Sequence, residues 1–253
     1  MDKAKNLLHL QQQQQQLLQL KRCPRCFLYD PLCICKEISA LEIPFELLLV
    51  IHRSEWKKSS NSARIATLAI KNATPRVYGG KDNQSENLNF DEYVHEGNGK
   101  GKTYILFPSP NAEKLSQKEF LQEFAGGTVI VPDGNWSQAK DISRKLYIKY
   151  RFPFLTLPEE TITARSQYRL RSHENPLYLS TYEAITKLIS VVDVAGEEKA
   201  KQLQRYFKAF VERNLLVRGL TSVERLEHTA YERGKECLYK ITHSGPCSRA
   251  FLS

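Results

Sequence analysis

Apolar positions recur along this chain in two rhythms. Residues 45–51 (Phe-Glu-Leu-Leu-Leu-Val-Ile) form a near-continuous apolar run behind Pro44, the length and pattern of a central parallel strand. His52 stands where that strand would end. From about Ser60 the period lengthens. Ile65, Leu68 and Ala69 share one face by i, i+3, i+4 spacing, and Asn61 or Ser62 can cap the helix they predict. Residues 79–102 are polar and rich in Gly and Asn, which predicts a surface insertion. Residues 104–107 read as the next strand, closed by Pro108-Ser109-Pro110. Leu115, Phe120, Leu121 and Phe124 predict a helix, and residues 128–131 (Thr-Val-Ile-Val) another buried strand. Pro132-Asp133-Gly134-Asn135-Trp136 follows at once and leads into a basic helix with Lys140, Arg144 and Lys145.

The last third repeats the alternation. Residues 154–157 predict a weak strand, and Tyr168-Arg169-Leu170-Arg171 a polar loop or strand end. Ser180 and Glu183 have capping-box spacing, followed by an apolar stripe of Ala184, Ile185, Leu188, Ile189 and Val192. A second helix is expected over 197–217, with Leu203, Phe207, Phe210 and Val211 inward. Strands alternating with helices predict an α/β fold with a mainly parallel sheet. Ligands of such sheets gather at the carboxyl ends of the strands, where His52, Ser109 and Asp133 all fall. Residues 1–22 form a low-complexity lead in which glutamines 11–16 interrupt leucines. Residues 219–253 are basic, lack a sustained period and read as a tail.

Composition narrows the class. At 253 residues, with 41% hydrophobic and 26% charged residues, the chain suits a globular protein rather than a disordered one. No apolar run approaches the ~20 residues that cross a bilayer, and the glutamine tract breaks up Leu7, Leu8 and Leu10 as a signal core. The expectation is a cytoplasmic or nuclear protein with no membrane partner. The formal charge of +9 suits a polyanion such as nucleic acid, with simple solubility as the alternative.

Of the six cysteines, four cluster as Cys23-Pro-Arg-Cys26 and Cys33-Ile-Cys35. Four thiolates complete a tetrahedral zinc shell with no position left for water, so the site would be structural. Buried free thiols and a redox pair are the alternatives. Asp133-Gly134-Asn135-Trp136 sets a carboxylate, a turn former, an amide and a large aromatic at a strand-to-helix junction. It reads either as a ligand site with Trp136 as a stacking face, or as an Asx-type turn capping the next helix with Trp136 in the core. His52 and Glu55 are either a catalytic pair or a simply hydrogen-bonded strand end.

These segments, with six matches in order across residues 23 to about 192, resemble the DTW-domain family. Its members are tRNA-uridine aminocarboxypropyltransferases related in fold to the knotted SPOUT methyltransferases. The matching residues are Cys23, Cys26, Cys33 and Cys35; His52-Arg-Ser-Glu55 with Asn61-Ser-Ala63; Phe107-Pro-Ser109; Asp133-Gly-Asn-Trp136-Ser-Gln-Ala139; Tyr168-Arg-Leu-Arg171; and Leu179-Ser-Thr-Tyr-Glu183-Ala184. The family signature is Asp-x-Thr-Trp, and Asn135 stands here in place of the threonine. The resemblance implies a knotted SPOUT-like parallel sheet with helices on both faces over 44–218, preceded by a small zinc module over 23–43. It also implies transfer of the 3-amino-3-carboxypropyl group of S-adenosylmethionine to N3 of a tRNA uridine, giving acp3U and methylthioadenosine.

On that reading Asp133 engages uridine N3–H, and Trp136 shapes the pocket. S-adenosylmethionine lies against Phe107, Ser109, the strand end from Val131 to Asp133, and the run from Tyr178 through Ser180 to Thr181. Arg169 or Arg171 grips the donor carboxylate. Arg53, Lys57, Lys58, Lys140, Arg144 and Lys145 form a positive face for tRNA. Cys23, Cys26, Cys33 and Cys35 bind structural zinc, with Cys237 and Cys247 outside the site. A methyltransferase of the same fold and a non-catalytic zinc-stabilised RNA-binding protein are the other readings the residues leave open.

Overall fold

Strands with both faces covered should be apolar without alternation, and the central strands of this protein are. The computed structural model describes residues 19–79, 89–94, 101–110, 112–113, 126–157, 166–170 and 179–221, with Gln11 and Gln15. Five strands, β1 (Glu46–His52), β2 (Ala73–Tyr78), β3 (Thr103–Leu106), β4 (Thr128–Asp133) and β5 (Phe154–Leu155), form one sheet in the order β2-β1-β4-β3-β5. Every pairing is parallel. Successive side chains enter two different cores: Leu47, Leu49, Ile51, Val129 and Val131 one, Leu48, Val50, Ile105 and Ile130 the other.

The helices divide accordingly. Helix α1 (Arg53–Trp56) follows β1 directly; α2 (Ser62–Ala69), α4 (Thr181–Val192) and α5 (Gly196–Val217) cover the first face. Helix α3 (Trp136–Tyr150) covers the second through Ala139, Ile142 and Leu146. The α/β class with helices on both faces of a parallel sheet is therefore as expected. The helix expected over 115–124 lies outside the described residues, as do Arg171, Tyr178, Cys237 and Cys247.

Two features differ from the sequence expectation. Strand β2 runs along one edge of the sheet with a half-exposed pattern and Pro75 inside it, tolerable because an edge strand leaves one side unpaired. In addition, residues 79–102 are not simply a surface insertion. Phe90 is buried in the α3-side core, its N–H donates to Tyr150 Oη at 2.8 Å, and a 3-10 turn (Asp91–Tyr93) follows it.

The cysteine segment shares a core with the sheet, since Leu28, Leu32 and Ile34 pack in the same cluster as Leu47 and Leu49. Arg213 of α5 fastens it. Its guanidinium donates to Leu32 O at 3.3 Å and to Glu37 Oε1 at 2.5 Å, while Ser39 N–H donates to Tyr206 Oη at 3.0 Å. Among the described residues no helix is long and apolar enough to cross a membrane.

Helices α4 and α5 form a tight corner. Tyr182 stacks on Phe207 with centroids 5.0 Å apart and donates to Leu203 O at 3.0 Å. At the turn, a Cβ on Gly196 would lie 2.2 Å from Ile189 O and 3.0 Å from Ser190 Cα. Gly196→Ala should therefore push the helices apart at a cost of about 1–3 kcal/mol, which calorimetry would read as a melting temperature lower by roughly 2–12 °C.

Candidate active site and metal centre

The sheet changes direction between β1 and β4. From β1 the chain moves to the β2 edge, crosses to β3, and then inserts β4 between β1 and β3. The crevice at such a switch point is where ligands bind. Its floor is the carboxyl end of the β1/β4 pair, where Ile51 is in register with Asp133.

Asp133 is 5% exposed, and both of its oxygens are engaged. Oδ2 accepts from Asn61 Nδ2 at 2.6 Å and Oδ1 from Thr181 Oγ1 at 2.5 Å. Asn61 is also the N-cap of α2, its Oδ1 accepting from Arg64 N–H at 2.8 Å. Thr181 opens α4, whose N-cap Ser180 forms a full capping box with Glu183. The carboxylate thus sits between two helix N-termini, whose partial positive charge favours an anion.

The cap of α3 is Asn135 rather than Asp133. Its Oδ1 accepts from Gln138 N–H at 2.9 Å, and Gln138 Oε1 accepts from Asn135 N–H at 2.9 Å. Asn is among the favoured N-cap residues, and Asn135 fills that role here. Gly134 is required by this cap, because a Cβ there would come within 2.7 Å of Gln138 Cβ. Trp136 is not a core residue: it is 46% exposed and lies on Phe107 with centroids 5.1 Å apart.

His52 caps α1. Its Nδ1 lies 2.8 Å from Ser54 Oγ, which in turn accepts from Gln138 Nε2 at 3.2 Å. The His52 ring packs over Gly79, which has a left-handed φ of 80°. Glu55 is buried and holds Lys58 at 2.6 Å. The two residues thus serve different partners, the hydrogen-bonded alternative for each.

The other expected site residues surround this floor unequally. Val131 is buried in β4, and Phe107 and Ser109 follow β3. Arg169 is exposed on the 166–170 segment, which is tied to the start of α4 by Gln167 N–H and Ser166 Oγ donating to Glu183 at 2.6 and 2.7 Å. Tyr168 fastens the same segment near Asn61 by donating to Ser60 O. Of the expected basic face, Lys57, Lys58, Lys140, Arg144 and Lys145 are exposed, and Arg53 is half-buried. The Ser54–Gln138 bond brings the α1 and α3 groups together. Asp141 holds Arg144 at 3.1 Å and Lys145 at 2.8 Å. Hydrogen bonding to Lys145 lowers the Asp141 carboxyl, and the same contact raises Lys145.

Cys23, Cys26, Cys33 and Cys35 converge. Their four Sγ atoms all lie within 4.8 Å of one another, with Cys23–Cys35 at 3.7 Å and Cys26–Cys33 at 3.8 Å. A tetrahedral ion with metal–sulfur bonds of ~2.3 Å has sulfur–sulfur edges of ~3.8 Å, so this group can hold a metal such as zinc with little movement. The Cys23–Cys26 turn sits on a short antiparallel bridge between Arg22 and Tyr29 and ends at Phe27 in the left-handed region. Hydrogen bonding to Cys33, then to Cys35, draws the Cys26 thiol down to about 4, and hydrogen bonding to Cys26, then to Cys33, pushes the Cys35 thiol far up.

Arg64 connects the two sites and carries no signal in the sequence. It is 3% exposed, its guanidinium lies between the Phe27 ring at 3.5 Å and the Trp56 ring at 3.9 Å, and it donates to Trp56 O. Burial lowers its pKa to about 10 against the opposing charge of Cys26. Helix α2 thus meets the cysteine segment through Arg64, whose guanidinium covers the Phe27 ring, and touches Asp133 through Asn61. A groove of about 460 Å³ lined by Arg22, Cys23, Pro24, Phe27, Lys57 and Ser59 opens beside this contact.

A family model described as DTW domain matches residues 20–215. The chain is similar to tRNA-uridine aminocarboxypropyltransferase 2 of Macaca fascicularis, 27% identical over 173 residues that cover 68% of this chain and 56% of that protein. It is also similar to the Mus musculus protein of the same name, 24% identical over 178 residues, with the same shares of 68% and 56%. The chain thus spans little more than half the length of these relatives. No solved structure matches.

Asn61→Ala removes a helix cap and one of the donors to a buried carboxylate. A cap costs about 1 kcal/mol and a hydrogen bond to a charged group about 1.5–3 kcal/mol. Urea unfolding should show a loss of about 2–4 kcal/mol, and Asn61→Ser, which keeps the cap alone, a smaller one.

Proposed function

The chain belongs to the DTW-domain family, and on that premise we propose that it is a tRNA-uridine aminocarboxypropyltransferase with a SPOUT-like, knotted catalytic domain over 44–218 and a zinc module over 23–43. The observation that carries this reading is Asp133, a buried carboxylate held between Asn61 and Thr181 at the switch point of a parallel sheet, beside an exposed tryptophan. The names of the relatives support tRNA as the substrate, and the basic charge of +9 suits it.

The reaction joins uridine N3 to the sulfonium-bound propyl carbon of S-adenosylmethionine, breaks that carbon–sulfur bond and leaves methylthioadenosine. Asp133, held in place by Asn61 and Thr181, takes the N3 proton. Trp136, backed by Phe107, offers a face on which a ring can lie. Phe107, Ser109, Val131, Ser180 and Thr181 line the strand and helix ends against which the donor is held, and Arg169 or Arg171 pairs with its carboxylate. Cys23, Cys26, Cys33 and Cys35 would hold a zinc ion, which would supply a structural cross-link within the cysteine module rather than chemistry on the substrate. Arg53, Lys57, Lys58, Lys140, Arg144 and Lys145 supply phosphate contacts, and the enzyme works where tRNA is found, in the cytoplasm or the nucleus.

Incubation of the full chain with S-adenosylmethionine and unmodified tRNA should release methylthioadenosine and place the aminocarboxypropyl group on uridine in nucleoside mass spectra. Release of S-adenosylhomocysteine instead would make it a methyltransferase. Asp133→Asn keeps an oxygen for Asn61 and an amide for the Thr181 hydroxyl, so the fold should survive. Single-turnover rates should then fall by about 10²–10⁴ while tRNA and donor still bind; a folded, fully active variant rejects Asp133 as the base.

Metal analysis should return one zinc per chain. The Cys23→Ser, Cys26→Ser double variant should lose it and melt earlier, because binding of a structural ion is coupled to folding.

A further inference from the structure

Helix α3 carries an outer face that runs on from Trp136, beyond what the reaction chemistry requires. Among the described residues, six large hydrophobic side chains are exposed, and three of them, Trp136 at 46%, Tyr147 at 41% and Ile148 at 54%, stand on this one helix. Eleven positions at ~100° each bring Tyr147 to within ~20° of Trp136 around the helix and set it ~16 Å further along. The two rings therefore form a row leading away from Asp133. Each is backed by an aromatic side chain from the neighbouring strand ends: Trp136 lies on Phe107 at 5.1 Å, and Tyr147 stacks on Phe154 at 5.3 Å.

A second row runs beside the first. Lys140, Arg144 and Arg151 lie ~40–80° round the helix from Trp136 by the same arithmetic, and all three are exposed. Arg151 ends the helix in the left-handed conformation, which folds its guanidinium to 5.5 Å over the Tyr147 ring. Asp141 neutralises part of the face by holding Arg144 and Lys145. Lys140 meets no carboxylate among the described residues.

Rigid aromatic faces in line, with cations beside them, match a single nucleic-acid strand: bases stack on the rings and phosphates lie along the charges. A duplex fits poorly, since its bases face one another and leave no ring to stack. We propose that the outer face of α3 is a track for a single-stranded stretch of tRNA adjoining the target uridine, with bases on Trp136 and Tyr147 and phosphates at Lys140 and Arg151. The track rests on the tRNA reading above and adds to it the structural state of the RNA that is bound.

Fluorescence anisotropy of the full chain with labelled oligouridylate and with a blunt RNA duplex of equal length tests it. The single strand should bind at least about tenfold more tightly than the duplex. Loss of one stacked base at ~1–3 kcal/mol means that Tyr147→Ala weakens oligouridylate binding by about 5- to 150-fold, while Tyr147→Phe keeps it. Lys140→Gln and Arg151→Gln, which leave the Tyr147–Phe154 stack untouched, should each flatten the slope of log affinity against log salt by ~0.7. With tRNA as substrate, Tyr147→Ala should raise KM and leave kcat unchanged. Equal binding of duplex, or unchanged affinity in a folded Tyr147→Ala, overturns the track. A concentration-dependent dimer abolished by Ile148→Ser overturns it too, by assigning the face to a second copy. Wild-type release of methylthioadenosine with RNA affinity indifferent to these variants rejects the track alone; binding by the track without any turnover rejects the reaction alone.

Discussion

The Asp133 carboxylate is the point on which this structure turns. An ion 5% exposed costs several kcal/mol unless hydrogen bonds replace its water, and here those bonds come from the starts of two different helices. Asn61 and Thr181 lie 72 and 48 positions from Asp133 in the chain. Each fixes its helix at the carboxyl end of β4, so the burial of one side chain sets where α2 and α4 begin. The loop over 166–170, tied to Glu183 and Ser60, inherits its position from the same anchor.

The cysteine module depends on that arrangement at second hand. Two buried arginines hold it, and they work differently. Arg213 is matched by a carboxylate, Glu37 at 2.5 Å. Arg64 has aromatic rings on both sides, and the charge close to it is that of the thiol cluster. A divalent ion on four thiolates carries a net charge of −2, which a neighbouring guanidinium offsets. The thiol cluster and the carboxylate crevice thus meet at the first turn of one eight-residue helix, capped by Asn61 and pinned three residues on by Arg64.

Much of this was legible in the chain itself. The apolar runs of β1 and β4 read as buried parallel strands because both faces are covered, and the spacing from Ser180 to Glu183 announced a capping box that the structure forms. Cysteine spacing identified the four thiols that converge. Strand β2 was not legible, because an edge strand of six residues with an internal proline has neither alternation nor an apolar run. Phe90 was hidden for a related reason, since one buried ring in a polar segment sets no period. The asparagine at the start of α2 was recognisable as a cap, but its second bond to Asp133 depends on topology. The signature Asp-Gly-Asn-Trp offered two readings, and the structure combines them: Asn135 is the cap, and Trp136 stays out of the core.

The chain has only two tryptophans, and the fold gives them opposite surroundings. The Trp56 ring carries the Arg64 guanidinium at 3.9 Å beside the thiol cluster, whereas Trp136 is 46% exposed on its Phe107 shelf. Indole emission shifts with the polarity and charge around the ring. Trp56 is therefore a built-in optical probe of the surroundings of the thiol cluster, and Trp136 of the crevice beside Asp133. Replacing one indole at a time turns a single protein into two spectroscopically independent reporters, one beside the start of α2 and one at the start of α3, without an added dye.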